Sequence, residues 1–405
     1  MNKTSSVFAL GSTGLIAFLA YLSAFVPIST DLYLPALPTM ATHFQVAPEL
    51  VNLTLSLFML IYAISMIFWG PFSDKYGRKP ILLAGLIIYI ASSLWLAVCS
   101  STWELIFGRC LQALGSGAAS SVSMAIVKDI YRGRIMENMI TIIQTTTVLA
   151  PMLAPVLGGV LLSFTSWRGI FWVLSGCGLL ALAGWFFLKE TLKNPTQGSA
   201  LGTLSRVLYV LGQKNFRNLL LVFSVGSMSF MAYLASSAYI YENLFHVTPQ
   251  QYSYFFAANA GISVLGPLLY IRFFRNLPKR EFIASCFIIT GLFGVLIIMS
   301  GNSGPFVFAM LFAPISIFGS ALRPPTTMLL MNQINSDNGT VAALIGSAAL
   351  LFGGLSMLIC SLPWPSFILA VGSLSVFVGL FCACGWLWLD RCRKFSVPVK
   401  VESQS

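Results

Sequence analysis

Stretches of about twenty apolar residues recur along the whole chain, separated by short polar or charged connections. Twelve of them fall near residues 10–34, 50–72, 80–99, 103–127, 139–163, 168–188, 216–245, 250–273, 282–300, 305–331, 339–361 and 365–389. Each is long enough to cross a bilayer as a helix, the form in which a segment satisfies its own backbone hydrogen bonds away from water. Lys3 ahead of the first stretch gives it the look of a secretory leader. Its length and the eleven stretches behind it predict a retained first helix instead. The pattern predicts an all-α integral membrane protein.

Composition strengthens this reading, with 57% hydrophobic and only 9% charged residues, against roughly 25% charged in ordinary soluble domains. Seven of the eight cysteines fall inside spans, without disulfide or metal-ligand spacing, and read as small packing residues. A net charge of +11 would suggest nucleic acid in a soluble protein, so the placement of the cations decides. With a cytoplasmic N-terminus, all but three of the 23 Lys and Arg fall in cytoplasmic segments. The exceptions are Arg109 and Arg323, within spans, and Arg168, at an outer loop. The positive-inside rule therefore predicts a multi-pass protein with both termini cytoplasmic. Its partner is the lipid bilayer, and no nucleic acid is expected.

The longest polar connection, Lys189 to Asn215, contains Asn194, Pro195, Gln197, Gly198 and Ser199 and divides the spans six and six. The expected organisation is an N-terminal bundle 1–188, a cytoplasmic linker 189–215, a C-terminal bundle 216–389 and a cytoplasmic tail 390–405. The halves echo each other: GPFSDKYGRKP from Gly70 with GPLLYIRFFRNLPKR from Gly266, LGSGA from Leu114 with FGSAL from Phe318, and LGGVL from Leu157 with FGGLS from Phe352. Two such bundles side by side are a transporter architecture with a substrate site between the halves near the midplane. The connections are too short to hold a catalytic domain. His43 and His246 lie in separate outer loops, no nucleophile stands with a base, and neither a metal cluster nor a GxxxxGK[ST] loop occurs. An enzyme is not expected.

Five motifs carry a family resemblance: STDLYLPALP in span one, GPFSDKYGRKP after span two, FGRCLQALGSGAA in span four, APMLAPVLGG in span five and SWRGIF leading into span six. Together they resemble the major facilitator superfamily and, within it, the Bcr/CflA branch of twelve-span drug/proton antiporters. The resemblance covers nearly the whole chain. It implies the major facilitator fold, twelve transmembrane helices in two six-helix bundles, as a monomer in the bacterial inner (cytoplasmic) membrane. The proton is the coupling ion, with no other cofactor. The implied cargo is a small lipophilic compound, neutral or zwitterionic, such as a chloramphenicol-like or bicyclomycin-like antibiotic, exported by alternating access.

The resemblance further implies that Gly70, Asp74, Gly77, Arg78 and Lys79 form a cytoplasmic latch loop. Asp74 would cap a helix of the opposite half and Arg78 would pair with Asp129, contacts that break when that side opens. Charge that merely fixes topology is the alternative for Arg78 and Lys79. Pro151, Pro155, Gly158 and Gly159 match the motif associated with antiporters, with Ala150 and Ala154 where glycine is commoner in the family. Small residues let two helices approach closely, and ordinary packing is the alternative role.

Of the twelve acids, Asp31 alone is expected inside the membrane. Pro27, Ala24, Ala20 and Ala17 continue its face of the helix as a small-residue stripe that belongs against other helices. Arg109 is its expected partner, because counting from Pro35 and Trp103 puts the two about 6 and 9 Å inside their helix ends. Gln112, Ser116, Ser120 and Ser123 run on from Arg109 and are expected to line a wet cavity. An intramembrane ionisable group is costly and marks function, so Asp31 with Arg109 is the expected proton-coupling site. A permanent structural ion pair is the alternative. A drug cavity needs aromatic and Met surface with a few polar anchors. The candidates are Tyr21 and Tyr33, Asn52, Ser56 and Met59, Gln112 and Ser116, Gln144, Tyr233 and Tyr239, Asn259, and Arg323. Arg323 either attracts an anionic group or snorkels toward the inner face. The alternative function on the same fold is a proton-coupled or passive carrier for an endogenous metabolite.

Overall fold

A computed structural model describes residues 11–131, 133–192, 207–334 and 338–393. Residues 193–206 of the expected linker and 394–405 of the expected tail lie outside them. Among the described residues, besides a short helical stretch at 207–212, twelve longer segments follow one another: α1 (residues 11–44, in pieces), α2 (Pro48–Tyr76), α3 (Arg78–Val98), α4 (Thr102–Ile130), α5 (Gly133–Phe164), α6 (Trp167–Phe187), α7 (Lys214–Leu244), α8 (Pro249–Phe274), α9 (Lys279–Ser303), α10 (Pro305–Met331), α11 (Asn338–Cys360) and α12 (Phe367–Arg393). Among the described residues, ten helices are each long and apolar enough to cross a membrane, and the two arms of α1 together make an eleventh. In α5 the apolar part is Leu149–Phe164. The segments pack as two six-helix bundles, α1–α6 and α7–α12.

Proline explains where these helices break. Pro27 has no N–H to give the Ser23 carbonyl one turn back, and α1 bends by 40° between Ser23 and Phe25. Beyond Asp31 a 3₁₀ turn, Leu34–Ala36, leads into Leu37–Phe44, so the helix runs on past Pro35 rather than ending there. Pro324 and Pro325 withhold donors from Ser320 and Ala321, and α10 divides into Pro305–Ala321 and Arg323–Met331. The last turn of α7, Tyr239–Leu244, is a π-helix.

Small residues set the closest approaches. A Cβ at Gly115 of α4 would stand 2.7 Å from the Tyr89 nitrogen of α3, and one at Gly291 of α9 would stand 3.3 Å from the Gly379 Cα of α12. The duplicated design is visible in hydrogen bonds. The Trp185 indole donates to the Lys79 carbonyl (2.8 Å) and the Trp386 indole to the Arg280 carbonyl (3.0 Å). The second pair stands about 200 residues beyond the first, as an internal repeat requires.

Between the bundles, α2 packs on α11 and α5 on α8. Two described hydrogen bonds join the halves: Ser56 Oγ to Ser361 Oγ (3.3 Å), and the Tyr239 hydroxyl to the Pro48 carbonyl (3.2 Å). Both lie at the end of the molecule away from the basic loop that carries Lys75, Arg78 and Lys79. At that basic end no hydrogen bond or ion pair joins the bundles among the described residues.

Candidate functional site

Asp31 sits in the middle of the broken helix α1, 2% exposed, and its Oδ1 accepts a hydrogen bond from the Thr30 hydroxyl (2.9 Å). Its neighbour Leu32 presents its carbonyl to Gly158 of α5 so closely that any Cβ at Gly158 would overlap it. Tyr252 of α8 is within electrostatic reach of the Asp31 carboxyl. Asp31 therefore stands where α1, α5 and α8 meet, on the seam between the bundles.

Arg109 is elsewhere, and the expected Asp31–Arg109 ion pair is not formed. The Arg109 guanidinium, 0% exposed, donates through Nη1 to the Ser29 carbonyl (3.0 Å) and to the Gln112 side-chain oxygen. It lies 4.2 Å from the centre of the Phe58 ring and 4.6 Å from that of Tyr33, a cation held by two aromatic faces. Its Nε and Nη2 are buried without a hydrogen-bond partner. The physical reason is helical rotation: residues two apart point about 200° from each other. The Ser29 side of α1, whose hydroxyl meets the Tyr89 hydroxyl (2.6 Å), looks toward α3 and α4, while Asp31 looks toward α5 and α8. The depth count from Pro35 also misplaced the helix end.

The polar stripe below Arg109 is likewise spent on packing rather than on a wet cavity. Gln112 donates to Ser93 (2.8 Å), Ser116 to the Ala113 carbonyl and Ser123 to the Leu19 carbonyl, and all three are fully buried. Other pocket candidates are sealed in the same way. The Tyr21 hydroxyl donates to the Cys177 carbonyl (2.8 Å), and Tyr33 is bonded to Thr54 (2.7 Å). Asn259 accepts from Ser316 (2.8 Å). Tyr233 stacks on Phe312 with centroids 4.1 Å apart, inside the C-terminal bundle, and Met59 is buried. Ser56 and Tyr239 hold the two halves together, as above. Asn52 is buried with both amide atoms unpartnered. The Gln144 side chain lies outside the described residues. Arg323 differs from all of these: it is exposed although dense protein surrounds it, and among the described residues its guanidinium has no hydrogen-bond or ion-pair partner.

At the basic end, Gly77 turns the chain between α2 and α3 with φ +101°, a conformation natural only to glycine. Arg78, 6% exposed at its side chain, donates to Asp129 (2.9 Å), to Ser73 (2.7 Å) and to Asp74, whose side chain is 42% exposed. Thr191 adds a bond to Asp129 (3.1 Å). The residue missed from sequence is Glu190. Its carboxylate accepts from the backbone N–H groups of Arg78 (3.0 Å), Lys79 (3.0 Å), Thr191 (2.8 Å) and Leu192 (2.9 Å), capping the start of α3 from a distance in the chain. Partial burial pushes the Glu190 pKa up, but those four donors outweigh it and hold the carboxyl below the usual glutamate range. The Lys79 ammonium lies over the Trp185 ring at 4.5 Å. All of these partners belong to the N-terminal bundle or to the first residues of the linker behind it. No described contact takes Asp74 to a helix of the other half.

On α5, helical throughout despite Pro151 and Pro155, the two glycines face different partners. Gly158 meets α1, and a Cβ at Gly159 would stand 3.2 Å from the Gln250 Cα of α8. Gly70 has open space around it.

Comparison with known proteins fits this arrangement. The chain is 28% identical over 365 residues to a bicyclomycin resistance protein homolog of Haemophilus influenzae, covering 88% of this chain and 89% of that one. It is 32% identical over 211 residues to a chloramphenicol resistance protein of Pseudomonas aeruginosa, 51% of this chain and 49% of that one. Among solved structures, a D-xylose-proton symporter superposes with a TM-score of 0.73 at 13% identity, covering 91% of this chain and 97% of the other, which speaks for the fold alone. The sequence model of the Major Facilitator Superfamily matches residues 13–357. With two six-helix bundles, a seam built by α1, α5 and α8, and a family match over most of its length, this chain belongs to the major facilitator superfamily, among relatives of drug-resistance type.

Proposed function

We propose that the protein is a proton-coupled exporter of small lipophilic, neutral or zwitterionic compounds, working by alternating access, with its basic end in the cytoplasm of a bacterial inner membrane. The observation that carries the reading is Asp31, a sealed carboxyl group without a cationic partner on the seam between the bundles. An ionised carboxylate in such a place is costly, and a proton removes the cost. A group that alternately meets water from one side and dry protein between two bundles is suited to carry a proton across. Arg109 acts beside it by fixing the Ser29 backbone of α1. The drug-resistance relatives support export and an antibiotic-like cargo. Arg323, exposed deep in the C-terminal bundle, supports a polar anchor for that cargo. Positive charge concentrated at one end supports the orientation.

One proton suffices energetically. Crossing 100 mV releases about 2.3 kcal/mol and one pH unit about 1.4 kcal/mol, together roughly several hundredfold in concentration of a neutral cargo. The network of Gly77, Arg78, Lys79, Asp74, Asp129 and Glu190 stiffens the basic end of the N-terminal bundle. Asp74, its most exposed acid, is the member that reaches the other bundle when that end closes.

The test uses purified protein in vesicles. Wild type accumulates substrate uphill when a pH gradient is imposed, whereas Asp31→Asn loses uphill movement and keeps substrate-for-substrate exchange. Undiminished uphill movement in Asp31→Asn would refute the carrier role. Substrate moving with the protons rather than against them would favour a metabolite importer.

A further inference from the structure

Glu242 lies within the π-helical last turn of α7, half-buried, with Oε1 sealed and without a hydrogen-bond partner. π-turns cost stability and concentrate at functional positions. Here the turn is stitched by Phe245 N–H to the Ile240 carbonyl and Val247 N–H to the Tyr241 carbonyl, both 3.1 Å. It packs against the last piece of α1, against α8 and against α12.

Among the described residues no salt bridge reaches Glu242, and His246, four residues on, is exposed. From α8, Tyr252 lies within electrostatic reach of Glu242 and also of Asp31. From its own turn, Tyr239 lies within reach of Glu242, of Tyr33 on α1 and of Glu49 at the start of α2. His43, on the last piece of α1, is turned to Trp167 and to Arg168 (3.4 Å). The outer two turns of α12 from Phe367 contain no ionisable side chain. Two acids, Glu49 on one bundle and Glu242 on the other, therefore flank the Tyr239–Pro48 hydrogen bond that ties the halves together.

We propose that Glu242 is a second proton-binding site, on the C-terminal bundle, whose protonated form lets α7 close against α2 and whose ionised form opens that end. The sealed oxygen of Glu242 has no hydrogen-bond partner, so its ionised form is costly once the seam dries. A proton taken from the water outside removes that desolvation penalty. Closing then binds one proton and opening releases it. The equilibrium between the two shapes should shift by up to about tenfold per pH unit across the titration.

The test needs neither substrate nor a gradient, so it stands apart from the export reading. Spin labels at Thr42→Cys and Asn243→Cys, both exposed, with the native cysteines replaced, report the separation of the halves at that end. Wild type should move from the short to the long distance as pH rises. Glu242→Gln should stay short at every pH, and Glu242→Asp should regain a pH-dependent change. A wild type insensitive to pH, or a Glu242→Gln protein that opens with pH as wild type does, overturns the proposal. A Glu242→Asp protein locked like Glu242→Gln also overturns it. The Asp31→Asn exchange assay decides the export reading separately.

Discussion

The carboxylate of Glu190 gathers four backbone N–H groups at the start of α3, and its pKa falls below the usual range as a result. For a depressed acid the stabilisation is complete above the unfolded glutamate value, near about 4.3, and is lost as pH falls through the folded value. Hydrogen–deuterium exchange at Arg78 and Lys79 should therefore lose protection only as pH falls below the ordinary glutamate range, after correction for intrinsic rates. Glu190→Gln should weaken that protection at neutral pH and abolish its acid dependence; exchange unaffected by either change would count against the cap. Nothing in the sequence announced this residue, because the two amides it caps on α3 lie more than a hundred positions away. Asp31 was legible for the opposite reason. Its stripe of small residues is a local pattern, and local patterns survive folding. Its partner was not legible, because a two-residue offset rotates a side chain to the far side of a helix whose end had been misjudged.

Whole helices were easier to read than their ends. All twelve helical segments coincide with apolar runs, since a helix satisfies its own backbone away from water, although among the described residues α5 is apolar only over Leu149–Phe164. Breaks such as those at Ser23 and Leu322 depend on which carbonyl a proline leaves unpaired, and the 3₁₀ continuation through Pro35 depends on what packs around it. The meeting of α1 with α5 is the tightest of the seams at the candidate site. Gly158→Val places two methyl groups against the Leu32 carbonyl next to Asp31, an overpacking that costs about 1–3 kcal/mol. The expected result is a lower unfolding temperature in detergent together with slowed transport. Transport at wild-type speed in this variant would mean that the α1–α5 contact is not part of the moving seam.

For the molecule as a whole, the two bundles repeat one plan, down to a tryptophan on α6 and α12 that pins the first turn of α3 and α9. The echoes GPFSDKYGRKP and GPLLYIRFFRNLPKR hinted at this. How the halves meet was beyond the sequence, because that depends on side chains scattered over both. The meeting is testable. Ser56 and Ser361 hydroxyls stand 3.3 Å apart across the halves, so Ser56→Cys with Ser361→Cys, in a background without native cysteines, should cross-link on oxidation. That should arrest substrate exchange until a reductant is added. Cross-linking that leaves exchange untouched would mean that this end does not open during the cycle.

The ions around Arg78 find all their described partners on the N-terminal bundle and the start of the linker that follows it. When one half swings on the other, this charged cluster travels as cargo and its pairs need not part. What must give way when the far end opens is the pair of hydroxyl ties there, Ser56 to Ser361 and Tyr239 to Pro48, so removing those hydroxyls should ease that opening without disturbing the charged cluster.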